Sequence, residues 1–207
     1  MNELSITIPQ NVENLQLPSP ELLTFYKNLD ERILWLDTDV DDYWLEFERH
    51  IIKWNAEDID TPIEQRKPIR LMIFSYGGCL DINNSLVDII KLSKTPIYGY
   101  NMGTAASAGC FIYLACHKRY CLPSSQFLIH KGSGRFEGTY DEIMCQITNY
   151  ARQIEELADY ILKNTKIPED VLDEHLGTEW YLSAQDALEL GVCDCIIKDF
   201  DEIVRGK

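Results

Sequence analysis

The stretch that most constrains this chain is Met102-Gly103-Thr104-Ala105-Ala106-Ser107-Ala108-Gly109, a run of small residues between two apolar segments. Pro96-Ile97-Tyr98-Gly99-Tyr100 leads in, and Cys110-Phe111-Ile112-Tyr113-Leu114-Ala115 follows at once. That order predicts a strand, a sharp turn and a buried helix. Gly103 and Gly109 let the turn tighten and let another segment approach closely. A serine at the helix start, Ser107, sits among backbone N–H groups that have no intrahelical acceptor. Such a position suits a nucleophile whose developing negative charge needs donors already in place. A capping serine in a packed turn is the simpler alternative, and for this motif alone it is favoured.

The same unit occurs once before. Ile69 to Phe74 reads as a strand, Ser75-Tyr76-Gly77-Gly78 as the turn, and Asp81 to Ser93 as the helix. Earlier, Ser19-Pro20-Glu21 combines a capping serine, a proline at the first helical position and an acid in the first turn, predicting a helix through Leu29. Arg32 to Leu36 is a strand. Val40, Tyr43, Trp44, Phe47, Ile51 and Trp54 recur at helical spacing, predicting a helix from Asp39 to Trp54, with a loop at 56–67. Strands are expected at 95–100, 120–122, 127–129 and 193–197. Thr139 to Glu142 is a capping box opening a helix to about Asn164, with an apolar stripe at Ile143, Ile147, Tyr150, Ile154, Leu157 and Ile161. Pro168 to His175 and a helix capped by Ser183 and ended by Gly191 complete the chain. Strands alternating with helices predict an α/β fold with a largely parallel sheet.

With 207 residues, residues 1–207 are expected to form a single domain, residues 1–17 being a flexible N-terminal arm. A net charge of −15 argues against a nucleic-acid partner. The longest apolar run, residues 105–116, is too short to span a bilayer, and the N-terminus has no signal-peptide pattern. A soluble, cytoplasmic protein without a membrane partner is therefore expected. The seven cysteines are odd in number and mostly sit in apolar segments, as reduced core thiols would. Cys116-His117 with Cys121 matches no zinc spacing, so no metal is expected.

Ser107 needs a base. Of the four histidines, His117 lies in a charged turn, His50 at the edge of an aromatic stripe, and His175 at the end of a polar helix. His130 follows the apolar Phe127-Leu128-Ile129 and precedes a glycine-rich passage, a placement suited to a cleft. A packing histidine is the alternative. Gly77-Gly78 offers either an N–H for an oxyanion or a plain helix-entry turn. The absence of Lys-Ser/Thr after it removes a phosphate loop.

Four motifs now stand in order: Ser75-x-Gly-Gly after a strand, Gly103-x-Ala-Ala-Ser-x-Gly, Pro123-x-Ser leading to Ile129-His130, and Tyr181-Leu-Ser-Ala. Together they resemble the proteolytic subunit of the Clp protease, over about Tyr26 to Ile197. The resemblance implies the ClpP/crotonase fold, layered strand-strand-helix repeats with a protruding handle helix in about 132–164. It implies a serine endopeptidase acting on unfolded polypeptides, with Ser107 as nucleophile and His130 as base. Gly78 and Ala108 would be the oxyanion donors, and Gly132, Ser133 and Gly134 would bind extended substrate. The family's third catalytic residue is an aspartate; here Glu179 stands in its place, with Asp173 and Glu174 nearby. The family also usually has proline where Tyr76 stands. The resemblance further implies homo-oligomeric heptameric rings stacked as a tetradecamer and fed by an AAA+ unfoldase. ATP would be used only by that partner, and the chain would need no cofactor. Two rival readings are a weakly active or inactive ring subunit and a crotonase-like acyl-CoA enzyme.

Overall fold

The computed structural model describes residues 19–205; the expected arm at 1–17 lies outside them. Helix α1 (Pro20–Asp30) begins as its sequence dictates, with Ser19 Oγ accepting the Leu22 N–H at 3.2 Å. Arg32 turns the chain with a φ of 55° into strand β1 (Ile33–Leu36). Its guanidinium forks onto Asp58 at 2.6 and 2.9 Å, and Thr95 Oγ1 donates to the same carboxylate. This buried group ties together β1, the end of helix α2 (Leu45–Glu57) and the approach to the third strand.

The helix expected from Asp39 begins later. A 3₁₀ turn at Asp42–Trp44 precedes α2, and Val40 is extended rather than helical. The reason is tertiary. The Val40 N–H donates to Gly77 O at 2.7 Å, and Val40 O accepts the Cys79 N–H at 2.8 Å. Periodicity counted Val40 into a helical stripe; pairing with the glycine turn took it out.

Strands β2 (Ile69–Ser75), β3 (Ile97–Ala106), β4 (Lys118–Cys121) and β7 (Cys195–Ile196) extend the sheet in the order β1-β2-β3-β4-β7, all parallel. Strand β3 runs six residues past its expected end at Tyr100, through the small-residue run itself. It changes partner on the way. Tyr98–Asn101 pair with β4, and Thr104–Ala106 pair with β5 (Gln126–Ile129). The buried Asn101 sits at the fork. Its Nδ2 donates to Gln126 O at 2.9 Å, its Oδ1 accepts the Gly103 N–H at 2.9 Å, and its carbonyl accepts from Ser125 Oγ at 2.9 Å. Gly103, with a φ of +149°, supplies the bend. Strand β6 (Trp180–Ser183), not anticipated, is antiparallel to β5.

Helices α3 (Leu80–Leu92) and α4 (Ala108–Ala115) pack over the sheet, and every residue of α4 is buried. Helix α5 (Tyr140–Asn164) is different: of its 25 residues only Ile161 is buried. Leu157, Ala158 and Tyr160 near its end pack on the core, while Tyr140, Met144 and Ile147 stand exposed. Helices α6 (Glu169–His175), α7 (Ala184–Glu189) and an unanticipated α8 (Phe200–Arg205) close the chain. Among the described residues, no helix is long and apolar enough to cross a membrane.

Candidate active site

Ser107 occupies the single residue between β3 and α4, with φ 52° and ψ −125°. A positive φ is costly for a residue with a Cβ and persists only where the surroundings enforce it. Here they do. The Ser107 N–H donates to Leu128 O at 2.9 Å, and its carbonyl accepts from Cys110 and Phe111. The side chain makes no capping bond. Its Oγ lies 2.7 Å from His130 Nε2 instead. The capping-serine alternative therefore does not describe this residue.

The turn beneath Ser107 must be glycine. A Cβ on Gly77 would stand 2.7 Å from Ser107 Cβ, and Gly77 carries a φ of +107°. A Cβ on Gly78 would strike the Val40 backbone at 2.4 Å. Ser75, buried below, donates to Thr38 O at 2.7 Å and accepts the Gly77 N–H at 3.2 Å. With the Gly77 N–H taken by Ser75 and the Cys79 N–H by Val40, the Gly78 N–H has no protein acceptor among the described residues. Ala108 is the first residue of α4, and its N–H is one that a helix cannot satisfy internally. Gly78 and Ala108 both line a cleft of about 440 Å³ with Ser107, His130 and Tyr76.

One wall of that cleft is α5. Tyr150 and Leu157 line it, and Tyr150 Oη donates to Lys131 O at 3.0 Å. The Phe136 ring packs edge-on against Tyr150 at 5.6 Å. Gly132 and Ser133 also line the cleft. Gly134 sits instead against the Phe136 ring, which a Cβ there would meet at 2.8 Å. Tyr150 was legible only as part of an apolar stripe; its hydroxyl contact with residue 131 had no sequence signal.

The acid is less tightly tied. The β5–β6 register ends with Ile129 opposite Trp180. Continued one step beyond the paired residues, the same register would set Glu179 opposite His130, and directly opposed residues of an antiparallel pair share a face. The Glu179 carboxylate nevertheless accepts from Tyr181 Oη at 3.0 Å, which raises the pKa of that phenol. His130 Nδ1 has no acceptor among the described residues, and Asp173 and Glu174 do not supply one. The other histidines are engaged elsewhere. His117 Nδ1 accepts the Ile97 N–H at 3.0 Å, so this residue serves the backbone rather than solvent alone. His175 stacks on Trp180 at 4.6 Å, and His50 on Trp54 at 5.5 Å. Among the described residues, no group of three or more metal-ligating side chains comes together.

A hydroxyl, an imidazole and two amide donors from separate turns form the constellation for acyl transfer. Comparison with known proteins shows the family. The family model described as Clp protease matches residues 21–200. An ATP-dependent Clp protease proteolytic subunit 2 from Corynebacterium diphtheriae is 31% identical over 173 residues, covering 82% of this chain and 84% of the relative. The ATP-dependent Clp protease proteolytic subunit of Paracoccus denitrificans is 29% identical over 150 residues, 72% of each chain. A solved ClpP1 mutant from Listeria monocytogenes superposes with a TM-score of 0.73 at 24% identity, covering 86% of this chain and 98% of that one. That likeness carries the fold.

Proposed function

The chain belongs to the Clp protease family, and from that premise we propose that it is a serine endopeptidase cleaving unfolded polypeptides. The observation that carries this reading is the 2.7 Å approach of Ser107 Oγ to His130 Nε2 at a strained turn. His130 Nε2 takes the Ser107 proton as the hydroxyl attacks a peptide carbonyl. The Gly78 and Ala108 N–H groups hold the resulting oxyanion. His130 then protonates the leaving amine, and a water activated by the same nitrogen releases the acyl group. Glu179, swung from Tyr181 to His130 Nδ1, would fix the imidazole tautomer and stabilise the imidazolium. Gly132 and Ser133 would take an extended substrate through backbone contacts, which tolerate many side chains.

Residues 1–207 would act as one peptidase domain within homo-oligomeric rings, heptamers stacked as a tetradecamer. The exposed Tyr140, Met144 and Ile147 of α5 offer apolar surface for such assembly. An AAA+ unfoldase would feed the chamber and use the ATP; the chain itself would need no cofactor or metal. A cytoplasmic setting belongs to the same reading. The family match favours a peptide over an acyl-CoA substrate. One observation favours a second reading, a weakly active ring subunit: the Glu179 carboxylate rests on Tyr181 rather than on His130. A fluorophosphonate probe tests both. Labelling at Ser107, with peptide turnover lost in Ser107→Ala, supports the peptidase. Assembled rings as inert as their Ser107→Ala counterpart support the second reading.

A further inference from the structure

Outside the residues that line the cleft, two sulfurs meet. Cys121 ends β4, and Cys193 lies just ahead of β7. Both are buried, and their Sγ atoms stand 3.6 Å apart although the residues are 72 positions apart in sequence. The two segments are already clamped by their neighbours. The Asp194 N–H donates to Arg119 O at 2.9 Å, and Arg119 returns its own N–H and a guanidinium fork to the Asp194 carboxylate at 2.8 to 3.2 Å. The Ile197 N–H donates to Cys121 O at 2.9 Å. The backbones on both sides of the thiol pair are therefore held in register before any bond forms between the sulfurs.

We propose that Cys121 and Cys193 are a modification site, oxidised to an intramolecular disulfide by a two-electron oxidant of the peroxide class. Closing from 3.6 Å to a bond of about 2.05 Å asks less than about 1 Å of each sulfur, within reach of side-chain rotation. The Cys121 S–H donates to Cys193, which lowers the pKa of the Cys193 thiol against the opposing effect of burial. Cys193, on the segment leading into the two-residue strand β7, is the member that local opening there would expose, and it is taken as the attacking one. Entry lies at the sheet edge, where β7 is two residues long and pairs with β4 at only Cys195 and Ile196. Short edge strands open locally at little cost.

The chemistry balances. The Cys193 thiolate attacks one peroxide oxygen, forming a sulfenic acid and a hydroxide that takes up the thiol proton as water. The Cys121 sulfur then attacks the sulfenic sulfur, the S–S bond forms, and a second water leaves. Two thiols and one hydrogen peroxide give one disulfide and two waters. The bond closes a loop that carries His130, α5 and Glu179 but leaves Ser107 outside. Such a long loop restricts the unfolded chain strongly.

The test uses the full chain, reduced, then exposed to hydrogen peroxide. Alkylatable thiols in the unfolded chain are expected to fall from seven to five. A proteolytic peptide joining Cys121 to Cys193 should appear, and the unfolding midpoint should rise by about 5 °C or more. A variant lacking the exposed thiols, Cys79→Ser with Cys145→Ser, should still lose two thiols. Cys193→Ala should keep Cys121 out of any intramolecular disulfide and show no rise. Oxidised chains whose only linked peptides involve other cysteines, or that keep Cys121 and Cys193 free, overturn the proposal.

Discussion

The two halves of the candidate site are held in opposite ways. On the Ser107 side, every backbone group around the hydroxyl is fixed. Leu128 holds the serine N–H, Val40 brackets Gly78, and Ser75 props Gly77. No side-chain freedom is needed to set the Gly78 and Ala108 N–H groups proposed as oxyanion donors. On the His130 side, the imidazole leaves the end of a four-residue strand, and Glu179 is exposed and bonded to an exposed phenol. Ser107, the proposed nucleophile, is held by backbone; Glu179, the proposed acid, depends on one rotamer. Electrostatic preorganisation is the costly part of acyl transfer, and it lies on the rigid half.

Removing either member of the Ser107–His130 pair, where the two halves meet, should have the largest effect. Ser107→Ala and His130→Ala are each expected to lower kcat/KM for an unstructured peptide by about 10³-fold or more while leaving circular dichroism unchanged. Full turnover by His130→Ala would remove the imidazole from the mechanism. Gly77→Ala places a Cβ 2.7 Å from Ser107 Cβ at a φ of +107°. It should cut kcat by about 100-fold through displacement of the elbow, read by steady-state kinetics alongside fluorophosphonate labelling rates.

The Glu179 end of the movable half should respond more gently. Glu179→Ala is expected to lower kcat about tenfold, a smaller loss than that of either partner. Tyr181→Phe removes the phenol that holds the carboxylate and should raise kcat about two- to threefold with KM unchanged. In a Glu179→Ala background that gain should vanish; if it persists, Tyr181 acts by another route. A control belongs to neither half. The Arg32 fork holds the buried Asp58 carboxyl below the usual range. Its contribution to stability is complete above the unfolded carboxyl pKa near 3.9 and is lost as pH falls through the folded value. Asp58→Ala should therefore cost about 3 kcal/mol in urea unfolding at neutral pH, with the difference from wild type shrinking below about pH 4.

Much of this was legible in the chain because it is written locally. Ser19-Pro20 and Thr139 to Glu142 start their helices through short-range capping bonds, and both bonds are present. Strand–glycine–helix units at 69–92 and 97–115 announce themselves by composition. Ser107 stands out as a serine at a helix start, and His130 as a histidine at a strand end. What the chain could not announce was pairing at a distance. Val40 carries a helical spacing yet is drawn straight by Gly77 and Cys79. Strand β6 exists because β5 offers it an edge, and β3 outruns its apolar segment because Asn101 hands it from one neighbour to another.

Residue order alone determined the kinds of groups available: a serine where a helix begins, a histidine where a strand ends, glycines that tolerate positive φ, and a glutamate in the final motif. Only the tertiary structure decided which of them touch. It brought Ser107 and His130 within 2.7 Å, because β3 and β5 pair beside each other, and it turned the Glu179 carboxylate toward Tyr181. Capping and turn chemistry act over three or four residues, so they survive in the sequence. Contact between segments depends on the path of the whole sheet, which no short window contains.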